Sequence, residues 1–234
     1  MARYLLADLY ATFTCHYPLL QRRCERYQVQ SEHPDDISMD VPLSRIQAFQ
    51  SKYSHLTLEE AELILFSSRF SAQILNHNGL VLHASAIAHQ GRAVLFSAPS
   101  GVGKSTHTRL WQQQFGAEQA VILNDDKPAL RLLDQQCWVY GTPFSGNSDE
   151  NRNQRCPLHA IVFLERSPCN SIRRLTVAEA LPHCMNNLPR YRQMTNLNQI
   201  MARFNQLLPT VPVYLLSCNM EPEAAILAQK TLFP

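Results

Sequence analysis

The chain has 234 residues, 45% of them hydrophobic and 17% charged, with a formal net charge of +2. That length supports one sizeable core, and the apolar content excludes a disordered chain. The mild charge and the scattered arginines (Arg22, Arg23, Arg26; Arg173, Arg174; Arg190, Arg192) form no basic stripe, so nucleic acid is not an expected partner.

In chain order, residues 4–14 are rich in β-branched and aromatic side chains and predict a strand; Arg3 and Asp8 within this apolar run argue against a signal peptide. No run of 18 apolar residues follows, so no membrane partner and a cytoplasmic location are expected. Residues 18–27 predict a short helix with proline in its first turn, and residues 28–42, with Pro34 and Pro42, a loop. Thr57 and Glu60 form a capping-box signature ahead of a helical apolar pattern that runs to the breaker at residues 76–79. Residues 80–88 and 93–97 read as two strands joined at 89–92, followed by a helix over 104–114 and a short strand over 121–123. A hairpin over 129–140 turns at Asp134-Gln135-Gln136. The polar segment 146–155 reads equally as a mobile flap closing over an acceptor, with Arg152 and Arg155 available to an anion, or as a solvated surface loop. A strand at 160–164, helices at 177–187 and 197–207, a strand at 213–217 and a helix at 221–231 complete the chain. Seven cysteines without a CxxC pair indicate reduced thiols rather than a disulfide framework or a zinc ribbon.

Ala98-Pro99-Ser100-Gly101-Val102-Gly103-Lys104-Ser105 matches the Walker A pattern with alanine in place of the first glycine. Such a loop needs glycines so that successive N–H groups face phosphate oxygens, a lysine for the β and γ phosphates, and a hydroxyl for Mg²⁺. Ser100, Gly101, Val102, Gly103, Lys104, Ser105 and Thr106 are the expected nucleotide-binding residues. Only four of the 21 basic residues are lysines, and one sits where a compact ammonium suits a phosphate. The strand ending Asn124-Asp125-Asp126 has Walker B logic, one carboxylate for the metal and one for a proton. Its 21-residue distance from Lys104 allows it to lie beside the strand that enters the loop.

The ordered set Leu82-His83-Ala84-Ser85-Ala86, then the loop, then Asn124-Asp125-Asp126 resembles the HPr kinase/phosphorylase family and, more distantly, ATP-dependent phosphoenolpyruvate carboxykinase. The resemblance covers residues 79–164. It implies an α/β fold with a mixed twisted sheet and a single P-loop kinase-like domain over 1–234. Residues 79–234 are then expected to form the nucleotide-binding core, and residues 1–78, to which the resemblance does not extend, an N-terminal α+β extension. It also implies ATP and Mg²⁺ binding and phosphoryl transfer to a serine of a small protein or peptide. Carried over by position, Lys104, Asp125 and His83 are catalytic, with Asp125 as the base, while Ser105 and Asp126 hold the metal. Short relatives of this kind resemble kinases acting on a precursor peptide. A homo-oligomeric state is left open, as are a nucleotide-binding module without transfer and a small-molecule kinase. Residues 141–146 read equally as a substrate loop or a structural turn.

Overall fold

The computed structural model describes residues 1–189 and 197–234; Arg190 and Arg192 lie outside the described residues. Within them the chain runs β1 (Ala2–Leu6), β2 (Leu9–Phe13), α1 (Pro18–Cys24), α2 (Leu43–Lys52), α3 (Leu58–Ile74), β3 (Gly79–Val81), β4 (Ala84–His89) and β5 (Arg92–Ser97). It continues through α4 (Lys104–Phe115), β6 (Ala120–Asp126), β7 (Ala129–Leu133), β8 (Gln136–Tyr140), β9 (Arg155–Arg166) and β10 (Ser171–Arg174). It ends with α5 (Val177–Asn186), α6 (Leu197–Leu207), β11 (Val213–Cys218) and α7 (Pro222–Leu232).

β5, β9 and β11 are parallel neighbours, with β10 antiparallel beyond β11. On the other side, β4 is antiparallel to both β5 and β6. The first half of β9 turns instead to β8, which continues through β7 to β3. The parallel strands are near-continuous apolar runs because both faces are covered. Along β5 and β9 the side chains alternate between two cores. Leu95, Ile161 and Phe163 pack with Ala180, Cys184, Phe204 and Leu207 of α5 and α6. Val94, Phe96, Ala160, Val162 and Leu164 pack with Leu110 and Trp111 of α4 and with Ala225, Ala228 and Leu232 of α7. A third cluster joins the N-terminal segment (Tyr4, Leu20, Phe66 and Phe70 among others) to Val81, Ala129, Tyr140 and Phe144. The α/β class with a mixed sheet is therefore as the sequence predicts.

Several local expectations need correction. The strand at 4–14 is a hairpin that turns at Ala7 and Asp8, both with positive φ (52° and 59°). Turn chemistry carried by an alanine and an aspartate, without glycine, hides it. The strand at 80–88 is two strands with different partners, because β3 pairs with β7 and β4 with β5 and β6, and His83 occupies the break. The strand carrying the two aspartates does not lie beside β5, since β4 intervenes. The sequence reading missed α2, which has no side-chain cap, and the four-residue β10.

The segment 146–155 is not a loose flap. Asp125 N–H donates to Glu150 O (3.0 Å), Arg152 N–H to Leu123 O (2.9 Å) and Gly141 N–H to Gln154 O (3.0 Å), so the segment runs along the outer edge of β6. Arg155 faces away from this edge, pairing with Asp8 and lying 4.5 Å over the Trp138 ring. Gly141 makes this close approach possible: a Cβ there would stand 1.8 Å from Arg152 O and 2.6 Å from Leu123 O. Gly116, with φ +84°, has open space around it. Gly141→Ala should therefore cost about 2 kcal/mol or more through backbone displacement, and Gly116→Ala only about 1 kcal/mol through its dihedral. Urea unfolding midpoints of the two variants should fall in that order.

Candidate functional site

The three motifs meet because β4 is the shared neighbour. Ala84 is in register with Ser97 on one side and with Asp126 on the other, and Ser85 with Phe96 and Asp125. A register shift between Ala86 and Ile87 adds a residue to β6 and increases its local twist as it reaches the aspartates. His83, just before β4, is fixed through its backbone: its N–H donates to Asn187 O (2.9 Å) and its carbonyl accepts from Ser97 Oγ (2.9 Å). The result is a cleft of about 620 Å³ at the ends of these strands. It is lined by the loop and first turn of α4 (Ser100, Gly101, Gly103, Lys104, Ser105, Thr106), by His83, Asp125 and Asp126, and by Arg109 and residues 146–148.

Between β5 and α4 the loop separates its polar groups by type. Five of its carbonyls are engaged, three of them by Lys104 and nearby backbone: Ala98 O by Lys104 Nζ (3.0 Å), Pro99 O by Val102 N–H (3.3 Å) and Gly103 O by His107 N–H (2.8 Å). Gly101 O and Val102 O both accept from Arg166. Among the described residues, the N–H groups of Gly101, Gly103, Lys104 and Ser105 donate to no protein acceptor. The first turn of α4 also has no side-chain cap and no acidic residue. Gly101 and Gly103 hold φ values of +82° and +124°, which glycine adopts without strain. The Val102 side chain packs against the core under α4.

Opposite the loop, Asp126 receives His83 Nε2 on Oδ1 (3.1 Å) and Lys127 Nζ on Oδ2. Burial alone would raise its pKa, but hydrogen bonds from His83 and Lys127 and the lysine charge lower it to about 2. Asp125 is also buried, yet its carboxylate has no hydrogen-bond partner among the described residues and faces the cleft. Burial lowers the Lys104 ammonium below its usual pKa, and the charges of Asp126 and Asp125 oppose that shift. Gly146 closes over the pair with φ +64°; a Cβ there would lie 3.0 Å from Asp126 Cβ.

Asn124 holds the end of β6 in shape, donating to Thr142 O (2.8 Å) and accepting from Lys127 N–H (2.7 Å). Residues 141–146 thus act partly as a structural turn, while Gly146 reaches the cleft. The structure brings together His83, Lys104, Ser105, Asp125 and Asp126 as the sequence predicts. It adds two arginines the sequence did not single out. Arg109 pairs with Glu150 at the rim (3.2 Å), and Arg166 lies behind the loop. Neither belongs to a motif, and only the fold brings them near.

The donor set suits Mg²⁺, which takes hard oxygen ligands and usually only one or two carboxylates, the rest being phosphate and water. Each Asp126 oxygen keeps a lone pair beyond its present hydrogen bond, and the Ser105 hydroxyl lines the same cleft. No group of three or more His, Cys, Asp or Glu among the described residues could hold a metal as a self-contained protein cage. No described helix is long and apolar enough to cross a membrane.

No curated protein matches the chain. Among solved structures, the HPr(Ser) kinase/phosphatase from Coxiella burnetii aligns over 64% of this chain and 95% of its own, with 11% sequence identity and a TM-score of 0.37. The family model of the SynChlorMet cassette protein ScmC matches residues 50–223, a span that contains every residue lining the cleft, and the chain belongs to the ScmC family.

Proposed function

We propose that the protein is an ATP-dependent kinase that transfers the γ-phosphate to a serine hydroxyl of a small protein or peptide. The observation that carries this reading is the loop at the start of α4, where protein donors hold the carbonyls of Ala98, Pro99, Gly101, Val102 and Gly103 and the N–H groups of Gly101, Gly103, Lys104 and Ser105 stay free, facing two carboxylates across one cleft. Free N–H groups at a helix N-terminus, together with a lysine, complement a polyphosphate in both charge and spacing.

Ser105 and Asp126 would hold Mg²⁺, which when bound screens the charge between nucleotide and carboxylates. Lys104 would leave Ala98 O for the β and γ phosphates. Asp125, the carboxylate without a partner, would accept the proton of the serine hydroxyl as its oxygen bonds to the γ-phosphorus and the bond to the ADP oxygen breaks. His83 and Lys127 would keep Asp126 anionic and in place. Catalysis in this scheme rests on positioning and fixed charge. The unpartnered state of Asp125 favours transfer over a module that only binds nucleotide.

Three outcomes test the reading. Lys104→Ala should weaken Mg·ATP binding roughly tenfold or more, the size of a charge-assisted hydrogen bond, with the fold intact; titration calorimetry and circular dichroism report both. Asp125→Asn should keep ATP binding while transfer of labelled phosphate to a serine peptide falls by roughly 10²–10⁴. Wild-type transfer by this variant would remove Asp125 as the base. For Asp126 the folded pKa, about 2, lies below the ordinary 3.8, so its stabilising contribution is complete above the ordinary value and is lost as pH falls toward about 2. Urea midpoints of the wild type and of Asp126→Asn should differ at neutral pH and converge between about pH 4 and pH 2.

A further inference from the structure

Arg166 sits at the last position of β9. The pairing of β9 with β5 ends at Ser97↔Phe163, whereas its pairing with β11 continues to Arg166↔Cys218. β9 therefore extends three residues past the point where β5 gives way to the loop. Alternation along the strand puts Arg166 on the same face as Val162 and Leu164, the face covered by α4. From there its guanidinium donates through Nη2 to Gly101 O and through Nε to Val102 O (3.3 Å). No carboxylate pairs with it among the described residues, although it is an exposed arginine.

A peptide unit carries its C=O and N–H on opposite sides. Holding Gly101 O and Val102 O behind the loop turns the following amides, those of Val102 and Gly103, the other way. Val102 N–H closes onto Pro99 O, which tightens the turn, while Gly103 N–H is left for the cleft. A planar fork with several donors can hold two successive carbonyls at once, and a single ammonium cannot match that geometry. We infer that Arg166 is a positioning residue for the phosphate-binding loop: its guanidinium clamps two consecutive loop carbonyls and so fixes the turn and presets the Gly103 amide toward the cleft that takes the phosphates. The inference rests on the reading of the loop as a phosphate site and assigns it a determinant that lies outside the motif, 62 residues after Lys104.

The protein's seven glycines make a direct test practical, because selective ¹⁵N-glycine labelling of the full chain gives a spectrum sparse enough to assign by substitution. The probe is inorganic pyrophosphate with Mg²⁺. In the wild type the Gly101 and Gly103 signals should shift on titration while those of Gly91 and Gly116 stay in place. In Arg166→Met the Gly101 and Gly103 signals should already be displaced in the free protein, and pyrophosphate should bind roughly tenfold more weakly, the loss of two charge-assisted hydrogen bonds being partly recovered by the loop. Arg166→Lys, which keeps the charge but not the fork, should restore less than half of that loss on a logarithmic scale. An unchanged thermal midpoint in both variants keeps the comparison within folded protein.

Full recovery by lysine would show that charge rather than the fork matters and would overturn the inference. So would an Arg166→Met variant whose glycine signals and affinity match the wild type. If the wild type does not bind pyrophosphate, the phosphate reading fails by itself. The clamp is then judged in the free protein, supported if Arg166→Met moves Gly101 and Gly103 alone and overturned if it moves neither.

Discussion

The pairing of one short strand on both of its edges organises this molecule. β4 contributes little chemistry of its own, yet Ala84 stands in register with Ser97, the residue before the glycine loop, on one side and with Asp126 on the other. Strand spacing of about 4.8 Å then fixes how far the loop lies from the carboxylates, and no side chain needs to reach across a gap to set that distance. Covering both faces of the sheet reinforces the arrangement. Phe96 and Trp111 pack in the core under α4, Phe163 and Phe204 in the core under α5 and α6, so β5 and β9 cannot shift toward either face without opening a cavity.

On that frame the site combines two opposed electrostatic designs. The loop is an arrangement of partial charges, with N–H groups inward and carbonyls tied back by Lys104 and Arg166. The facing wall is an arrangement of full charges, in which Asp126 is held by one histidine and one lysine and Asp125 by neither. Burial penalises every ion in such a cleft, and the wall compensates at Asp126 while leaving Asp125 available. Two adjacent carboxylates in one cleft thus differ in their partners alone, Asp126 held on both oxygens and Asp125 on neither.

Much of this was legible from residue order. The glycines, lysine and hydroxyl of the loop, the paired aspartates and His83 all meet where the motifs predict, because each motif is local and its chemistry demands particular residue types. What the sequence did not disclose depends on register. Periodicity cannot tell a continuous strand over 80–88 from β3 and β4 with a break at His83, since the break is defined by which strands pair on either side. Nor can it show that β4 separates β5 from β6. The segment 146–155 looks like a loose loop because its composition is polar, yet its polar groups are hydrogen-bonded in place: Asn151 is buried, donates to Ser145 Oγ (2.8 Å) and accepts from Tyr27 OH (2.9 Å). Arg109 and Arg166 carry no sequence signal at all, being one arginine on a helix and another at a strand end.

The N-terminal segment gains a defined place in this scheme through the same buried asparagine. Residues at the end of α1 and in the turn after it reach the wall of the cleft from behind: Arg23 pairs with Asp149 (3.4 Å), Arg26 donates to Asn151 O (2.7 Å), and Tyr27 donates to the Asn151 side chain. Asn151 is bridged to Asn124 beside it, and Glu150 O accepts from Asp125 N–H, so one line of hydrogen bonds runs from α1 to the backbone of the free carboxylate. Farther out, Arg131 donates to Ala7 O and Tyr140 OH to Asp8, while the Phe70 and Phe144 rings meet at 5.6 Å, tilted by 38°. Buried polar links of this kind are strongly directional, and losing one partner leaves the other unsatisfied in a low-dielectric interior. The segment thus acts as a brace: residues 145–151, in which Gly146 sits over Asp126, are tied to β6 by backbone hydrogen bonds on one side and backed by α1 and the turn after it on the other.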